Sequence, residues 1–252
     1  HILSDGQVDL NWNPNLKLIQ HDVNNSRYQL VKRVLAGTTF DGPLVNAIVV
    51  KDGVVYVGGY FNSVLNETRN NLAAISVGGS LTSWDPNVDG DVSTLAINNN
   101  VIYAGGDFTT IGGQTRNRLA AIDMGGSVTS WDPSVDGNVF ALAINNNTIY
   151  VGGSFSIVGG QTRNGLVAID VGGSLTSWDP SVDGYGVVST LAIDNNTIYA
   201  GGDFTSVGGQ TRNRLAAIDV GGSLTSWDPN VSGGDVYTLA INNDIIYAGG
   251  SF

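Results

Sequence analysis

Residues 101–108 read Val-Ile-Tyr-Ala-Gly-Gly-Asp-Phe, and residues 130–133, Ser-Trp-Asp-Pro, close the same unit. The Tyr-x-Gly-Gly-x-Phe motif occurs five times, beginning at Tyr56, Tyr103, Tyr150, Tyr199 and Tyr247. Ser-Trp-Asp-Pro occurs four times, with its tryptophan at Trp84, Trp131, Trp178 and Trp227, and residues 11–14 (Asn-Trp-Asn-Pro) form a degenerate fifth copy. The chain is therefore a tandem repeat with a period of about 47 residues.

One period contains four short β-like segments, each bounded by Gly, Asn, Asp or Pro. In the second repeat they are residues 93–97, 101–108, 118–123 and 127–131. The period lacks the i, i+3, i+4 apolar spacing of an amphipathic helix. Short turns separate the first two and the last two segments, whereas residues 109–117 form a longer loop. Each repeat is therefore predicted to be a four-stranded antiparallel meander.

The chain termini decide how the meanders are arranged. Four-stranded units of this length stack radially into a β-propeller, for which an open solenoid is the alternative. The sequence stops at Phe252 after a second strand, and residues 1–6 and 8–12 align with third and fourth strands. We expect residues 1–252 to form a single all-β domain, a five-bladed β-propeller of four-stranded antiparallel blades. N-terminal strands would complete the last blade and close the ring, which removes exposed sheet edges.

One segment interrupts the repeat. The distance from Trp12 to Trp84 exceeds one period by about 25 residues, which places an insertion at about residues 16–40. Four basic residues against one acidic residue give it a net charge of about +3, whereas the remainder of the chain carries about −14. Two interpretations stay open. The insertion either folds back on an acidic face of the ring or docks a neighbouring domain or subunit.

Composition excludes several classes of protein and partner. The chain is 42% hydrophobic, too apolar for disorder, and it has no apolar run of the ~20 residues that cross a bilayer. We therefore expect a soluble protein without membrane insertion. The absence of cysteine excludes disulfides and thiolate chemistry. A net charge of −11 makes nucleic acid a poor partner.

An acidic loop follows each tryptophan motif. Residues 85–90, Asp-Pro-Asn-Val-Asp-Gly, match the opening of a calcium-binding loop, but Ala96 stands where the bidentate Glu is required. Related copies occupy residues 132–137, 179–184 and 228–233. We expect a proline-initiated turn between blades in which Asp accepts backbone N–H bonds, with calcium as the alternative. No metal-binding residue and no cofactor is predicted.

A second recurrent loop carries an arginine. Residues 112–117, Gly-Gly-Gln-Thr-Arg-Asn, lack the following helix that a phosphate-binding loop requires. We expect its arginine to brace the blade by binding a carboxylate such as Asp107 or Asp203, or backbone carbonyls. The equivalent arginines are Arg69, Arg116, Arg163 and Arg212. The repeated tryptophans are predicted to pack one blade on the next rather than to stack on sugars.

Candidate catalytic residues are few. Glu67 is the only Glu, His1 and His21 are the only His, and neither Gly-x-Ser-x-Gly nor His-Glu-x-x-His occurs. Identical repeats also offer no differentiated acid and base. No catalytic residue is predicted, and we expect the chain not to be an enzyme. The alternative is a carbohydrate-active enzyme, of the five-bladed propeller glycosidase type, with paired Asp residues in the channel.

The run from Ala104 to Asp123, followed by Gly-Gly-Ser-Val-Thr-Ser-Trp-Asp-Pro at residues 125–133, resembles the bacterial delta-60 type of β-propeller repeat. The resemblance covers nearly the whole chain except the insertion. It implies an extracellular or cell- or particle-surface propeller, often part of a larger protein, with no common enzymatic activity. The blade number and period also resemble five-bladed lectins at the level of fold.

These observations together predict a non-enzymatic recognition or structural scaffold module of an exported or surface protein. Near-identical blades would offer weak, repeated sites to a glycan or protein partner, with avidity arising from their number. The pattern itself singles out no ligand-binding residue.

Overall fold

The computed structural model describes residues 44–184, 186–242 and 245–252, in which every regular element is a β-strand. The N-terminal strands expected to close the ring and the insertion at about residues 16–40 lie outside the described residues. The same holds for His1, His21 and the degenerate tryptophan motif at residues 11–14. The all-β prediction is confirmed for the described part of the chain.

Five consecutive strands make up each of four blades, and two further strands form a terminal hairpin. Blade 1 comprises β1 (Leu44–Lys51), β2 (Val54–Tyr60), β3 (Ser63–Val64), β4 (Glu67–Thr68) and β5 (Leu72–Ser76). Blade 2 comprises β6 (Asp91–Asn98), β7 (Val101–Asp107), β8 (Thr110–Ile111), β9 (Gln114–Thr115) and β10 (Leu119–Asp123). Blade 3 comprises β11 (Asn138–Asn145), β12 (Thr148–Ser154), β13 (Ile157–Val158), β14 (Gln161–Thr162) and β15 (Leu166–Asp170). Blade 4 comprises β16 (Val187–Asp194), β17 (Thr197–Asp203), β18 (Ser206–Val207), β19 (Gln210–Thr211) and β20 (Leu215–Asp219). The terminal hairpin comprises β21 (Val236–Asn242) and β22 (Ile245–Gly250).

Each blade is an antiparallel sheet of three long strands. In blade 2 the order is β6-β7-β10, with Leu95 opposite Ala104 and Tyr103 opposite Ala121. These strands lie where the sequence predicted the first three segments. The connection predicted as a loop at residues 109–117 contains the small hairpin of β8 and β9.

The predicted fourth strand is wrong as a regular strand. Residues 127–131 make a single bridge, between Val128 and Ile122 of β10. The chain then bends, because the Thr129 hydroxyl accepts the backbone N–H of Trp131 at 3.2 Å. Each of the four blades therefore has three long strands and a small hairpin, with a short bridged segment in place of the fourth long strand.

The paired glycines of the motif are explained by two close approaches. A Cβ on Gly105 would lie 2.5 Å from Val139 Cγ1 of the following blade. A Cβ on Gly106 would overlap the Asp91 carbonyl oxygen of the same blade, at the point where the register of β6 shifts. The first glycine thus allows the blades to approach, and the second allows the first two strands to do so.

The tryptophan motif joins successive blades, as predicted. Trp84 of blade 1 is buried, and its Nε1 donates to the Asp123 carbonyl of blade 2 at 3.1 Å. Its ring meets Tyr56 edge-on, with centroids 5.1 Å apart. Trp131 and Trp178 repeat the bond to the next blade, at 3.0 and 2.9 Å. Mixed clusters of aromatic and aliphatic side chains from adjacent blades form the core.

The row of described blades has two uncovered ends. The first strands pack in the order β1-β6-β11-β16-β21, and no comparable packing joins β21 to β1 within the described residues. Ile48 of β1 is 56% exposed, whereas Leu95 at the same position of β6 is 8% exposed. Tyr247 of the terminal hairpin is likewise exposed. The predicted five-bladed closure depends on residues 1–12, and the described residues therefore do not test it.

Candidate binding site at the loop edge

The connections between blades and the small hairpins lie along one edge of the row, here called the loop edge. It is formed by residues 85–90, 132–137, 179–184 and 228–234 together with residues 60–71, 107–118, 154–165 and 203–214, which contain the hairpins β3–β4, β8–β9, β13–β14 and β18–β19. Val88 of the first connection bridges to Ile111 of the next blade's hairpin. The Val88 N–H also donates to the Asn70 carbonyl of its own blade, 3.2 Å away. Each connection therefore lies between the hairpins of two successive blades.

The second Asp of each acidic loop holds the hairpin of the following blade. Asp89 Oδ1 accepts the backbone N–H groups of Thr109 and Thr110 at 2.8 and 2.9 Å, and Oδ2 accepts the Thr109 hydroxyl at 2.6 Å. Partial burial acts to raise the pKa of Asp89, but these hydrogen bonds outweigh it and leave that pKa below its usual value. Asp136 and Asp183 repeat the arrangement. The predicted role as acceptor of N–H bonds is confirmed for these carboxylates.

The first Asp of the loop faces a different partner. Asp85 Oδ2 lies 3.7 Å from Arg69 Nη1, so the two carboxylates of the loop do not act on one point. In the part of the chain that the structure describes, no three acidic or His side chains are grouped in a way that could hold a metal ion.

The loop arginines brace their own blades. Arg116 Nη2 donates to the Thr129 carbonyl at 2.7 Å, and Nη1 donates to the Thr115 carbonyl at 2.7 Å. Its carboxylate partner is Asp132, with 3.6 Å between Nη1 and Oδ2. The expected binding to backbone carbonyls is confirmed, whereas the suggested pairing with Asp107 or Asp203 is wrong. Those two aspartates form ion pairs with other arginines, which directly precede the third strands of blades 2 and 4.

Two positions at the loop edge differ together among otherwise similar repeats. One ends the second strand, and the other precedes the third strand with a positive φ of about 62–65° in every described blade. Arg118 Nε lies 3.1 Å from Asp107 Oδ1, and Arg214 Nε lies 3.5 Å from Asp203 Oδ1. Across the four blades the residues are Tyr60 with Asn71, Asp107 with Arg118, Ser154 with Gly165, and Asp203 with Arg214. No sequence motif singles out this pair, which becomes visible only when the four copies are aligned.

In blade 1, Tyr60 and Asn71 stand where blades 2 and 4 have an Asp–Arg ion pair, and this changes the shape of the loop edge. Asn71 is buried, and its amide folds onto the backbone, accepting the Phe61 N–H at 3.0 Å and donating to the Val88 carbonyl at 2.9 Å. Tyr60 is 56% exposed. Between blades 1 and 2 lies a cleft of about 570 Å³ that these residues line together with Asn62, Asn70, Asn87 and Asp89.

One acidic pair at the same edge has unequal members. Asp91 at the start of β6 lies opposite Asp107 at the end of β7. Burial raises the pKa of Asp91, and the charge of Asp107 adds to the increase. Asp91 Oδ1 is buried without a hydrogen-bond partner among the described residues, whereas Asp107 pairs with Arg118.

Comparison with known proteins identifies the type of repeat. Residues 51–82, 98–128, 145–175 and 194–224 match the sequence model of a family described as a domain of unknown function (DUF5122), beta-propeller. The chain is built from β-propeller repeats. Each matched stretch of this propeller runs from the last residue of a first strand to the bridged segment of the same blade. None of the curated proteins compared with the propeller matches it.

Two solved structures are similar to this propeller at low identity. The computationally designed Ika4 protein is 15% identical with a TM-score of 0.45, covering 69% of this chain and 90% of its own. The computationally designed Ika8 protein is 16% identical with a TM-score of 0.45, covering 82% of this chain and 68% of its own. These scores are too low to assign a fold. A search of the described residues found no helix long and apolar enough to cross a membrane.

Proposed function

We propose that this propeller is a non-enzymatic scaffold that recognises a glycan or protein partner, as a module of an exported or surface protein. One observation supports the proposal above the others. The repeated Asp and Arg side chains of the loop edge are held in bonds within the fold, while the residues that differ between blades lie at that same edge. A rigid framework with a variable rim is the usual arrangement of a binding surface.

The contacts of the repeated residues support a scaffold more than a reaction. Asp89 is bonded to the next hairpin, Arg116 to its own blade and Trp84 to the next blade. Each of these bonds recurs in other blades, so none is reserved for one site. A catalytic centre needs groups that differ from their neighbours in pKa and position.

We further propose that five blades close into a ring, with residues 1–12 supplying the missing strands of the last blade. The outer edge of β22 supports this: it pairs with no strand among the described residues, whereas β7, β12 and β17 each pair with a third strand on that side. Hydrogen exchange tests the closure. Deleting residues 1–12 is expected to expose the β22 amides while leaving β2 protected, and unchanged protection of β22 contradicts it.

A glycan array tests the recognition function. The labelled chain, applied with and without a calcium chelator, is expected to bind a restricted group of glycans equally in both conditions. Loss of binding with the chelator would favour the calcium alternative for the acidic loops. Silence across the array would count against glycan recognition and leave a protein partner or a structural role.

A carbohydrate-active enzyme remains the second candidate, because Asp91 and Asp107 form a carboxylate pair of unequal environment. Glycosidases use one protonated and one ionised carboxyl group, and burial already raises the pKa of Asp91. The pairing of Asp107 with Arg118 gives the second group a structural partner instead. Hydrolysis of nitrophenyl glycosides that is lost in Asp91→Asn would establish the enzyme and refute the scaffold.

A further inference from the structure

We propose that the cleft between blades 1 and 2 is a single binding site for a neutral saccharide. The proposal rests on the recognition function above, and it states where the binding site lies and which class of ligand it binds. The site is single and is not repeated in each blade. The cleft depends on Tyr60 and Asn71, a combination that no other described blade has.

The other junctions fill the corresponding space in different ways. Between blades 2 and 3 the Arg118–Asp107 ion pair occupies the edge. Between blades 3 and 4 the Val182 side chain occupies the space beside Gly165, where its Cγ2 would lie 2.5 Å from a Cβ. Beyond blade 4, Arg214 lies between Asp203 and Asp235, 3.5 and 3.7 Å from their Oδ1 atoms. At blade 1 the amide of Asn71 turns inward, and no arginine takes its place.

The side chains that line the cleft match the surface of a sugar. The Tyr60 ring offers an exposed flat face, against which the C–H face of a pyranose can stack. Asn62, Asn70 and Asn87 carry amides that both donate and accept hydrogen bonds, as sugar hydroxyls require. Asn70 Nδ2 already donates to Asn87 Oδ1 at 2.8 Å, which fixes both groups and leaves an acceptor on one and donors on the other.

The charges around the cleft disfavour ionic ligands. No Lys or Arg is among the described residues that line it, so an anion would find no partner. Its one carboxylate, Asp89, already accepts three hydrogen bonds from Thr109 and Thr110. A neutral polar ligand is therefore favoured, and the volume of about 570 Å³ lies within the range of small-molecule sites.

The test uses the full chain and a panel of neutral methyl glycosides, followed by NMR titration of backbone amides. We expect one site per chain, with the largest shifts at Tyr60, Asn62 and Asn70. The variant Tyr60→Asp with Asn71→Arg rebuilds the edge of blade 2 at blade 1. Because the same chain already uses that pair, we expect the variant to fold and to bind at least about tenfold more weakly.

Two single variants test whether binding depends on the aromatic ring of Tyr60, and not on its hydroxyl group or on the exposure of a tyrosine as such. Tyr60→Phe keeps the stacking face and is expected to bind within about threefold of the original chain. Tyr237→Ala removes a tyrosine that is equally exposed, at 53%, in the terminal hairpin, and is expected to leave affinity unchanged. Thermal unfolding of each variant checks that the fold is retained.

Different results refute different claims. Glycoside binding that survives Tyr60→Asp with Asn71→Arg overturns the site but leaves the recognition function standing. Failure of every glycoside at millimolar concentration, with glycans bound on the array, overturns the proposal of a small neutral saccharide. Silence in both experiments overturns the inference and glycan recognition together. A peptide or protein partner that binds at this cleft instead would also overturn it.

Discussion

Blade 2 and the terminal hairpin have nearly the same sequence and very different surroundings. Residues 101–106 read Val-Ile-Tyr-Ala-Gly-Gly and residues 245–250 read Ile-Ile-Tyr-Ala-Gly-Gly. Tyr103 is 3% exposed, whereas Tyr247 is 52% exposed. Val92 and Val236, which face the preceding blade, are both fully buried. Burial in this fold is therefore conferred by the neighbouring blade, and identical residues contribute unequally to stability.

The largest effect is expected from removing a tryptophan that joins two interior blades. Trp131→Ala deletes a buried ring and the bond to the Asp170 carbonyl, and should lower the free energy of unfolding by about 3–5 kcal/mol. Denaturant unfolding measures the loss. Trp131→Phe keeps most of the ring and should cost less. A loss below about 1 kcal/mol for Trp131→Ala would contradict its interior role.

The next largest effect concerns the spacing between blades. Gly105→Ala forces a methyl group against Val139 and Thr94, and should cost about 1–3 kcal/mol of unfolding free energy. Gly184→Ala is the matched control, because a Cβ there meets nothing within 4 Å and the backbone has no positive φ. Equal stabilities of the two variants would show that the blades can separate without cost.

A third prediction applies the comparison to ring closure. Tyr247→Ala should cost roughly 1–2 kcal/mol in the full chain if residues 1–12 cover the hairpin, since Trp12 would then replace the contact that Trp131 makes with Tyr103. The cost should disappear in a chain that lacks residues 1–12. Tyr103→Ala provides the control, and its cost should be the same with and without the segment. If Tyr247→Ala costs the same unfolding free energy with and without residues 1–12, closure by this segment is refuted.

The smallest effect is expected at an acidic loop. Asp89→Ser copies Ser232 of the last connection and should cost about 1 kcal/mol at neutral pH, because three hydrogen bonds to Thr109 and Thr110 weaken. The folded-state pKa of Asp89 lies below the usual 3.8. Its carboxylate therefore stabilises the fold above the unfolded pKa, and this contribution is lost as pH falls through the folded pKa. The difference in unfolding free energy between the original chain and Asp89→Ser should therefore shrink in acid. A difference that grows in acid would contradict this role of Asp89.

The repeat pattern predicted the strands because their signals are local. Alternating β-branched residues with paired glycines placed β6, β7 and β10 correctly within two residues. The fourth strand failed because the Thr129 hydroxyl captures the Trp131 N–H, a competition that strand patterns do not include. The cleft at the loop edge was not predicted from the sequence, for a different reason. The cleft depends on Tyr60 at the end of β2 and Asn71 directly before β5, a pair that becomes visible only when the copies are compared column by column.

The contact between Gly105 and Val139 carries a consequence for how such chains grow. At each joint between described units a glycine of one unit meets a valine of the next, as Gly58 with Val92 and Gly152 with Val188 also show. A tandem duplication of the gene segment therefore supplies a unit that already fits both of its new neighbours. Because the glycine–valine contact is the same at each of these joints, it does not by itself determine how many blades the chain contains.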